Sequence, residues 1–270
     1  MIDAAKNLIE SVRPPKLKEV FFPSLPFNRR LLLWYANRLV KKDSRVEPVE
    51  KLMEIDGLRR GGNPLTFICN HLTYADSHII EALLVRFGLK DLADHMVHIA
   101  GQKTFQISRR PLTRSLNTVR VYQPKARIEG PVKKRMNNRA LRWAARLKRK
   151  GYSLLVYPEG TRTRLMKHFN LFSANPKTTV YFRQSFVVPL ALMGSENIMP
   201  VGSVLQKPAT VHLKVGTPIL HSDFEEKVRR ELAGKSDREI RQTLMMRYME
   251  QINHLLNPEY RTTGNLEAQP

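Results

Sequence analysis

The sequence is poor in cysteine and in long apolar runs. Its single cysteine, Cys69, excludes an internal disulfide, and its place in the run LTFIC is typical of a small core residue rather than a nucleophile. The longest stretch without a charge covers residues 61–75 and contains Pro64. A membrane-spanning helix needs about 20 apolar residues, so we expect no transmembrane helix.

A secretory signal is also missing from the first residues, which carry Asp3 and Glu10 and have no apolar core of the kind that export requires. We therefore expect a cytoplasmic protein.

Acidic residues are scarce relative to basic ones. The chain has 24 Asp plus Glu against 46 Lys plus Arg, a formal net charge of +22. Such an excess opposes compaction by self-repulsion and indicates an anionic partner, such as a membrane surface, an acidic protein or a nucleic acid. With 42% hydrophobic residues in 270, the chain can still bury a core, which excludes disorder.

The hydrophobic pattern predicts an N-terminal helical region over residues 1–60 and an α/β domain over residues 61–270. In the second part short apolar strands alternate with helical stretches, which favours a mostly mixed central sheet covered by helices. The predicted strands are 65–69, 96–100, 118–122, 152–157, 186–192 and 209–215. The main predicted helices are 77–87 and 138–150, and two capping boxes, Ser222 with Glu225 and Ser236 with Glu239, predict helix starts near the C-terminus.

Two basic segments are candidates for contact with an anionic partner. In residues 27–42, Leu31, Trp34, Tyr35 and Leu39 are interleaved with Arg29, Arg30, Arg38, Lys41 and Lys42. This segment either lies on a membrane surface or packs its apolar stripe against the protein. Residues 131–150 hold nine Lys or Arg and no acid. This run is a solvated helix face, a dock for anionic headgroups, or a dock for an acidic acyl carrier protein.

The strongest chemical signal is the segment Asn70-His71-Leu72-Thr73-Tyr74-Ala75-Asp76, which follows an apolar strand and precedes a helix. On a continuous helix, His71 and Asp76 would lie about 140° apart, so they can meet only across a turn. Asp76 would then fix one imidazole nitrogen, and the other could take a proton from a hydroxyl. Alternatively, Asp76 only caps the helix.

A second signal is Pro158-Glu159-Gly160-Thr161-Arg162, which also follows an apolar strand and is extended by Arg164. A glycine turn offers backbone N–H groups, and arginines bind phosphate through forked hydrogen bonds. A solvated basic turn is the alternative interpretation.

Together, in this order, the two segments resemble the motifs of the glycerolipid acyltransferases, over residues 60–220. The resemblance implies an α/β fold and His71 and Asp76 as the catalytic pair. It also implies that Asn70, in the same block, binds substrate. It implies that Glu159, Gly160, Thr161, Arg162 and Arg164 bind substrate.

The segment SLNTVRVYQPKARIEG lacks the Gly-x-Phe-x-x-Arg pattern of many members. It is similar instead to the plastid-type glycerol-3-phosphate acyltransferases, in which a basic pair after a strand helps to bind phosphate. Lys125 and Arg127 are the basic candidates here.

The function implied is acyl transfer from coenzyme A or acyl carrier protein to glycerol 3-phosphate, with lysophosphatidate as the alternative acceptor. The thioester is a co-substrate, and we expect neither a cofactor nor a metal, because His95 and His98 lack further ligands nearby. We expect a peripheral protein on the inner face of a membrane. A remote alternative, a basic nucleic-acid-binding protein, lacks an aromatic-rich strand and a recognition helix, so no nucleic acid partner is expected.

Overall fold

A computed structural model describes residues 19–105, 110–123, 126, 128–160, 169–171, 175–200 and 206–262. The first 18 residues of the predicted N-terminal helical region lie outside the described residues.

Nine strands in this part of the chain form one mixed sheet. They are β1 (Phe21–Phe22), β2 (Arg45–Glu47), β3 (Leu65–Cys69), β4 (Met96–Gly101), β5 (Asn117–Val121), β6 (Ser153–Val156), β7 (Phe186–Met193), β8 (His212–Val215) and β9 (Ile219–Leu220). Their order is β1-β5-β4-β6-β3-β7-β8-β2, and β9 pairs with β7. The five central strands, β5, β4, β6, β3 and β7, are parallel to one another. β1, β8 and β9 are antiparallel to their neighbours β5 and β7.

Helices cover both faces of the sheet. They are α1 (Pro26–Leu39), α2 (Val49–Arg60), α3 (Asp76–Arg86), α4 (Lys90–Asp94), α5 (Arg110–Thr113), α6 (Gly130–Arg149), α7 (Ser195–Ile198), α8 (His221–Glu231) and α9 (Asp237–Leu255). Short 3-10 helices span Gln102–Phe105, Pro176–Tyr181 and Pro258–Tyr260.

The fully buried strand β3 shows why two helix layers are needed. Side chains alternate along a strand, so Phe67 and Cys69 join the core under α2, α3 and α4, while Ile68 joins the core under α9. On that second face, α6 covers β5 and β6 through Met136, Ala140 and other apolar side chains. A strand buried on both faces reads as an unbroken apolar run, as LTFIC does.

The predicted α/β class and mixed sheet are confirmed, and each of the six predicted strands is present, with ends that differ by three residues at most. The sequence pattern missed β1, β2 and β9, because two or three residues are too few to show alternation. β1 and β2 form the two edges of the sheet, although they come from the segment predicted as helical. The domain boundary near residue 60 stays a prediction.

One of the two predicted capping boxes is confirmed. Ser236 caps α9, with its hydroxyl accepting from the Glu239 N–H while the Glu239 carboxylate accepts from the Ser236 N–H. The prediction for Ser222 is wrong, because β9 runs directly into α8 and the helix begins at His221. Ser222 therefore lies in the first turn, where its hydroxyl donates to Asp223.

The amphipathic segment forms α1, and most of its apolar stripe faces outward. Three of the four stripe residues are exposed, at 46% for Leu31, 53% for Trp34 and 40% for Tyr35, whereas Leu39 is 6% exposed and joins the core. α1 therefore packs against the protein through Leu39 and Ala36 and leaves the rest of the stripe exposed. In the described part of the chain, no helix has the length and apolarity that crossing a bilayer requires.

Arg29 differs from the other cations of α1. The sequence interpretation placed it on the basic surface, but its side chain is 11% exposed and forms ion pairs with Glu81 and Asp94. Arg29 therefore attaches α1 to α3 and α4, and the surface cations of this segment are Arg30, Arg38, Lys41 and Lys42.

Candidate active site

The candidate site lies where the five parallel strands end. Because parallel strands point the same way, the residues that follow β3, β6 and β7 meet at one edge of the sheet, where α/β proteins bind ligands. His71 follows β3, Tyr157 and Glu159 follow β6, and Ser195 follows β7. A cavity of about 1360 Å³ opens at this edge, and His71, Tyr157 and Glu159 line it.

Asp76, the first residue of α3, organises the turn that follows β3. One carboxylate oxygen, Oδ2, accepts from the backbone N–H of Leu72 at 2.7 Å and of Thr73 at 2.9 Å. The other, Oδ1, accepts from the Thr73 hydroxyl at 2.9 Å and the Ser195 hydroxyl at 2.8 Å. Asp76 is fully buried, so these donors replace the water that a charged carboxylate would otherwise bind.

Ser195 reaches Asp76 because the chain turns sharply at Gly194. Gly194 has a φ of 87°, a left-handed conformation that favours glycine. A Cβ at this position would lie 2.3 Å from the carbonyl oxygen of Thr210. Only glycine therefore fits at the end of β7 in this conformation, and it places the Ser195 hydroxyl on the Asp76 carboxylate.

His71 meets Asp76 across the turn, as the motif predicts. Its Nδ1 donates to Asp76 Oδ2 at 2.9 Å, and its side chain is 18% exposed. No described residue binds the other ring nitrogen, Nε2, and His71 lines the cavity. The pair therefore holds one nitrogen fixed and leaves the second available to a substrate hydroxyl.

Tyr157 supports the imidazole from its face. The two rings are stacked, with centroids 4.2 Å apart and planes 21° apart. The Tyr157 hydroxyl is hydrogen-bonded to Ser77 on α3 at 3.0 Å, and burial raises its pKa well above the ordinary value. Tyr157 is therefore a neutral positioning residue that links the loop after β6 to α3 and to the His71 ring.

Glu159 contacts the turn between His71 and Asp76. Its carboxylate accepts from the backbone N–H of His71 at 2.8 Å, and the residue is 5% exposed. Burial raises its pKa to about 8; hydrogen bonds from the backbone of His71 and Asn170 oppose the rise, and the charge of Asp76 adds to it. Glu159 therefore fixes the backbone beside the imidazole while it also lines the cavity.

The raised pKa of Glu159 predicts a pH-dependent stability. In the folded state this carboxyl keeps its proton to about pH 8, whereas in the unfolded chain it ionises near pH 4.5. The folded state therefore binds more protons between these values, and the free energy of unfolding should fall as pH rises from 4.5 to 8. The upper limit of the fall is about 1.4 kcal/mol per pH unit.

Glu159→Gln is the matched control, because the amide keeps a hydrogen-bond acceptor for His71 and cannot ionise. Urea unfolding of both proteins from pH 5 to pH 8.5 measures the effect. If the difference in the free energy of unfolding between wild type and Glu159→Gln did not change with pH, the prediction would be contradicted.

Asn70 and Cys69 lie behind the site and do not line the cavity. The Asn70 amide donates to the carbonyl of Leu192 at 2.8 Å and accepts from its N–H at 2.7 Å. Asn70 therefore connects the end of β3 to β7, whereas the sequence analysis predicted that it binds substrate. Cys69 is fully buried, and burial raises the pKa of its thiol well above the ordinary value.

Five of the predicted substrate-binding residues lie outside the described residues: Lys125, Arg127, Thr161, Arg162 and Arg164. The described residues next to them do come together. The Gln123 side chain donates to the carbonyl of Gly160 at 2.9 Å. Gly160 is exposed at the cavity, with a φ of 66° that closes the turn after β6. The loops that follow β5 and β6 are therefore in contact with each other where they leave the sheet.

Sequence reasoning missed Thr73, Ser195 and Tyr157. Thr73 lies inside the motif, and Tyr157 directly precedes Pro158-Glu159-Gly160, so both had a local signal. Ser195 is separated from Asp76 by 119 positions, and no pattern in one sequence links them.

The two histidines considered for a metal bind other groups. His95 Nδ1 faces the Asp91 carbonyl at 2.9 Å, and His98 Nε2 faces Glu81 at 2.8 Å. Among the residues that the structure describes, no three His, Cys, Asp or Glu side chains are grouped to hold a metal ion.

Comparisons with known proteins extend these findings. A model of the Acyltransferase family matches residues 44–193, which include the turn from His71 to Asp76 and the loop after β6. No curated protein matches the chain. A solved structure, the 1-acyl-sn-glycerophosphate (LPA) acyltransferase PlsC of Thermotoga maritima, is similar at 16% identity and a TM-score of 0.48. The similarity covers 95% of this chain and 90% of that one.

Proposed function

Because the chain belongs to the acyltransferase family, whose model matches more than half of it, we propose that it transfers a fatty acyl group from a thioester to a hydroxyl of glycerol 3-phosphate. The main support for this proposal is the His71–Asp76 pair. His71 lines the cavity, and its Nε2 has no hydrogen-bond partner among the described residues, so it is available to a substrate hydroxyl. Coenzyme A or acyl carrier protein would bear the acyl group.

In this mechanism His71 is the general base. Its Nε2 takes the proton of the acceptor hydroxyl as the hydroxyl oxygen attacks the thioester carbonyl. The C–S bond then breaks, and the leaving sulfur takes the proton back from the imidazolium. Asp76, held by its hydrogen-bond donors, keeps the imidazole oriented and stabilises its positive charge.

The environment of Cys69 supports direct transfer between the two substrates. A covalent acyl-enzyme would need a nucleophile beside His71, and a thiol attacks as the thiolate. Cys69 is buried, its pKa is raised, and it does not line the cavity. We therefore expect both substrates to be bound when the acyl group moves.

Glycerol 3-phosphate is the preferred acceptor because two basic segments begin at the contact between Gln123 and Gly160. Lys125 lies two residues beyond Gln123, and Arg162 lies two residues beyond Gly160. Cations from both segments would suit a small phosphate. The exposed apolar stripe of α1 favours a second candidate, lysophosphatidate held in a bilayer.

Assays of the purified protein with both acceptors test this choice, each acceptor with a CoA donor and with an acyl carrier protein donor. We expect the higher kcat/KM with glycerol 3-phosphate. A higher value with lysophosphatidate would replace the first candidate by the second, and transfer to neither would contradict the proposed function.

Arg162→Ala should raise the KM of the acceptor by about tenfold or more and leave the KM of the donor nearly unchanged. The reason is that the change removes a charge-assisted hydrogen bond to phosphate and does not touch the thioester. Arg164→Ala should act in the same direction more weakly. Steady-state kinetics with each substrate varied in turn measure the effect, and equal effects on both KM values would contradict it.

The choice between the two donors depends on α6. Its cations Arg135, Arg142 and Arg146 are exposed, and no acidic residue lies between residues 130 and 150, so this face suits an acidic carrier protein. Lys148 is the exception in the run. It is buried and donates to the carbonyls of Tyr181 and Arg183, and burial lowers its pKa to about 8.

The outward face of α1 supports binding to an anionic membrane surface. Its exposed aromatic and leucine side chains suit the headgroup boundary. Arg30 on α1, and Lys41 and Lys42 just beyond its end at Leu39, are exposed and add charge at about 1 kcal/mol each near anionic lipid. The protein would then be held peripherally on the inner face of a membrane.

Replacing Arg30, Lys41 and Lys42 together by Gln should weaken binding to vesicles that contain anionic lipid, because it removes charge from this face. The matched control replaces the exposed Lys227, Arg230 and Lys235 by Gln, which removes the same charge far from α1. Vesicle sedimentation at low and high salt measures both proteins. Retention of the wild type through a high-salt wash, or equal loss in both variants, would contradict the proposal.

A further inference from the structure

A tyrosine near the C-terminus contacts the turn that carries Ser195. The Tyr260 hydroxyl accepts from the backbone N–H of Gly194 at 3.1 Å and donates to the Glu196 carboxylate at 2.6 Å. The two contacts join residues that are 66 and 64 positions apart in the sequence. Tyr260 is therefore bonded to the residue before Ser195 and to the residue after it.

Tyr260 is itself fixed in the core. Its side chain is 6% exposed and belongs to the apolar core under α9. Its carbonyl accepts from the N–H of Phe169 at 2.9 Å, and its N–H donates to the carbonyl of Asn257 at 2.9 Å. The phenol group is therefore a rigid support for the turn that it contacts.

The turn that carries Ser195 is held from two directions. Before it, the Asn70 amide is bonded to both the N–H and the carbonyl of Leu192. At the turn itself, Tyr260 binds on both sides of Ser195. Hydrogen bonds weaken steeply as distance and angle depart from their best values. The Ser195 hydroxyl therefore keeps its 2.8 Å contact with Asp76 only while the turn keeps its position.

The contact between Ser195 and Asp76 also affects the proton on His71. A hydrogen-bond donor disperses the negative charge of a carboxylate, so the carboxylate attracts a neighbouring cation less strongly. With the Ser195 hydroxyl in place, Asp76 orients the imidazole and does not overstabilise its protonated form. A general base is most effective when its proton affinity matches the operating pH.

Other titratable side chains interact electrostatically with Asp76, from β3 and from the loop after β6. They are Cys69, Tyr157 and Glu159. A substitution at Ser195 or Tyr260 leaves these three in place. Glu196 is the exception, because it loses a donor when the Tyr260 hydroxyl is removed. Its effect therefore has to be separated from an effect that passes through Ser195.

We propose that Tyr260 is a positioning residue for the His71–Asp76 pair, because it holds residues 194–196 so that the Ser195 hydroxyl stays bonded to Asp76. The proposal rests on the proposed acyl-transfer function. It adds to that function two residues, Ser195 and Tyr260, that lie outside the part of the chain matched by the family model.

The variants Tyr260→Phe and Ser195→Ala, alone and together, test the proposal. Each single variant should lower kcat at pH 7 by about three- to tenfold, the effect of one hydrogen bond. Each should also move the acidic limb of the pH profile of kcat/KM to higher pH by about half a unit, because Asp76 then attracts the imidazolium more strongly. If Tyr260 acts through Ser195, the double variant should do no more than Ser195→Ala alone.

Tyr248→Phe is the matched control. It removes another buried tyrosine hydroxyl, one that is bonded to His221 Nδ1 at 3.1 Å and not to residues 194–196. Its pH profile should equal that of the wild type. Urea unfolding of every variant gives the folded fraction to which kcat is normalised, so a loss of stability alone does not imitate the effect.

The outcomes distinguish the proposal from the function on which it rests. If the wild type transfers acyl groups and Tyr260→Phe has the pH profile of Tyr248→Phe, the proposal is overturned and the proposed function stands. Additive shifts in the double variant would also overturn it, because Tyr260 would then act through Glu196 or another route. Absence of transfer by the wild type would overturn the proposed function itself.

Discussion

Replacing His71 with Ala should lower kcat at saturating substrates by about 10²- to 10⁴-fold, because the proposed general base for the acceptor hydroxyl is lost. The KM values should change little, since the imidazole is not assigned to binding of either substrate. Steady-state kinetics with each acyl donor measure the loss. The side chain of His71 is hydrogen-bonded only to Asp76 among the described residues, stacks on Tyr157 and is partly exposed. The fold should therefore tolerate its removal.

His254→Ala is a suitable control, because His254 is an exposed histidine on α9 that does not line the cavity. It should keep wild-type turnover and an unchanged circular dichroism spectrum. If His71→Ala retained a kcat near that of the wild type, another group would be the base, and the mechanism proposed above would be wrong.

Asp76→Asn should also lower kcat by about 10²-fold or more while the protein stays folded. The amide oxygen can still accept from His71, but the negative charge that stabilises the imidazolium is gone. Asp76→Ala adds a second effect, because the N–H groups of Leu72 and Thr73 and the Ser195 hydroxyl lose their acceptor. Each buried donor left unsatisfied costs about 1–3 kcal/mol.

Comparing the two Asp76 variants separates chemistry from stability. We expect similar losses of kcat for the folded fraction of both proteins and a lower urea midpoint for Asp76→Ala alone. Equal stability of the two variants would contradict the assigned hydrogen bonds, and full activity of Asp76→Asn would contradict the assigned charge.

The contact between His71 and Asp76 could be predicted from the sequence because its parts are local. His71 and Asp76 lie within one strand–turn–helix unit, and the apolar run LTFIC marks the strand. The same reasoning misplaced Asn70, since a pattern shows that a polar residue ends a strand but not which neighbouring strand it binds. It also treated Arg29 as a surface cation, because its acidic partners Glu81 and Asp94 are distant in sequence.

The contact between Ser195 and Asp76 could not be predicted for a different reason. It depends on β7 lying beside β3, and strand order is set by the packing of the whole sheet rather than by local pattern. The edge strands β1 and β2 were missed on similar grounds, since their few residues become strands only because β5 and β8 offer open edges.

The enclosure of Asp76 also bears on how fast the reaction can proceed. In water, a carboxylate beside a newly formed cation must wait for solvent dipoles to reorient, and that reorganisation adds to the barrier. Here the backbone N–H groups of the turn and the hydroxyls of Thr73 and Ser195 are fixed before substrate arrives. The dipoles that surround the charge are therefore preorganised, and folding rather than turnover bears the cost of orienting them.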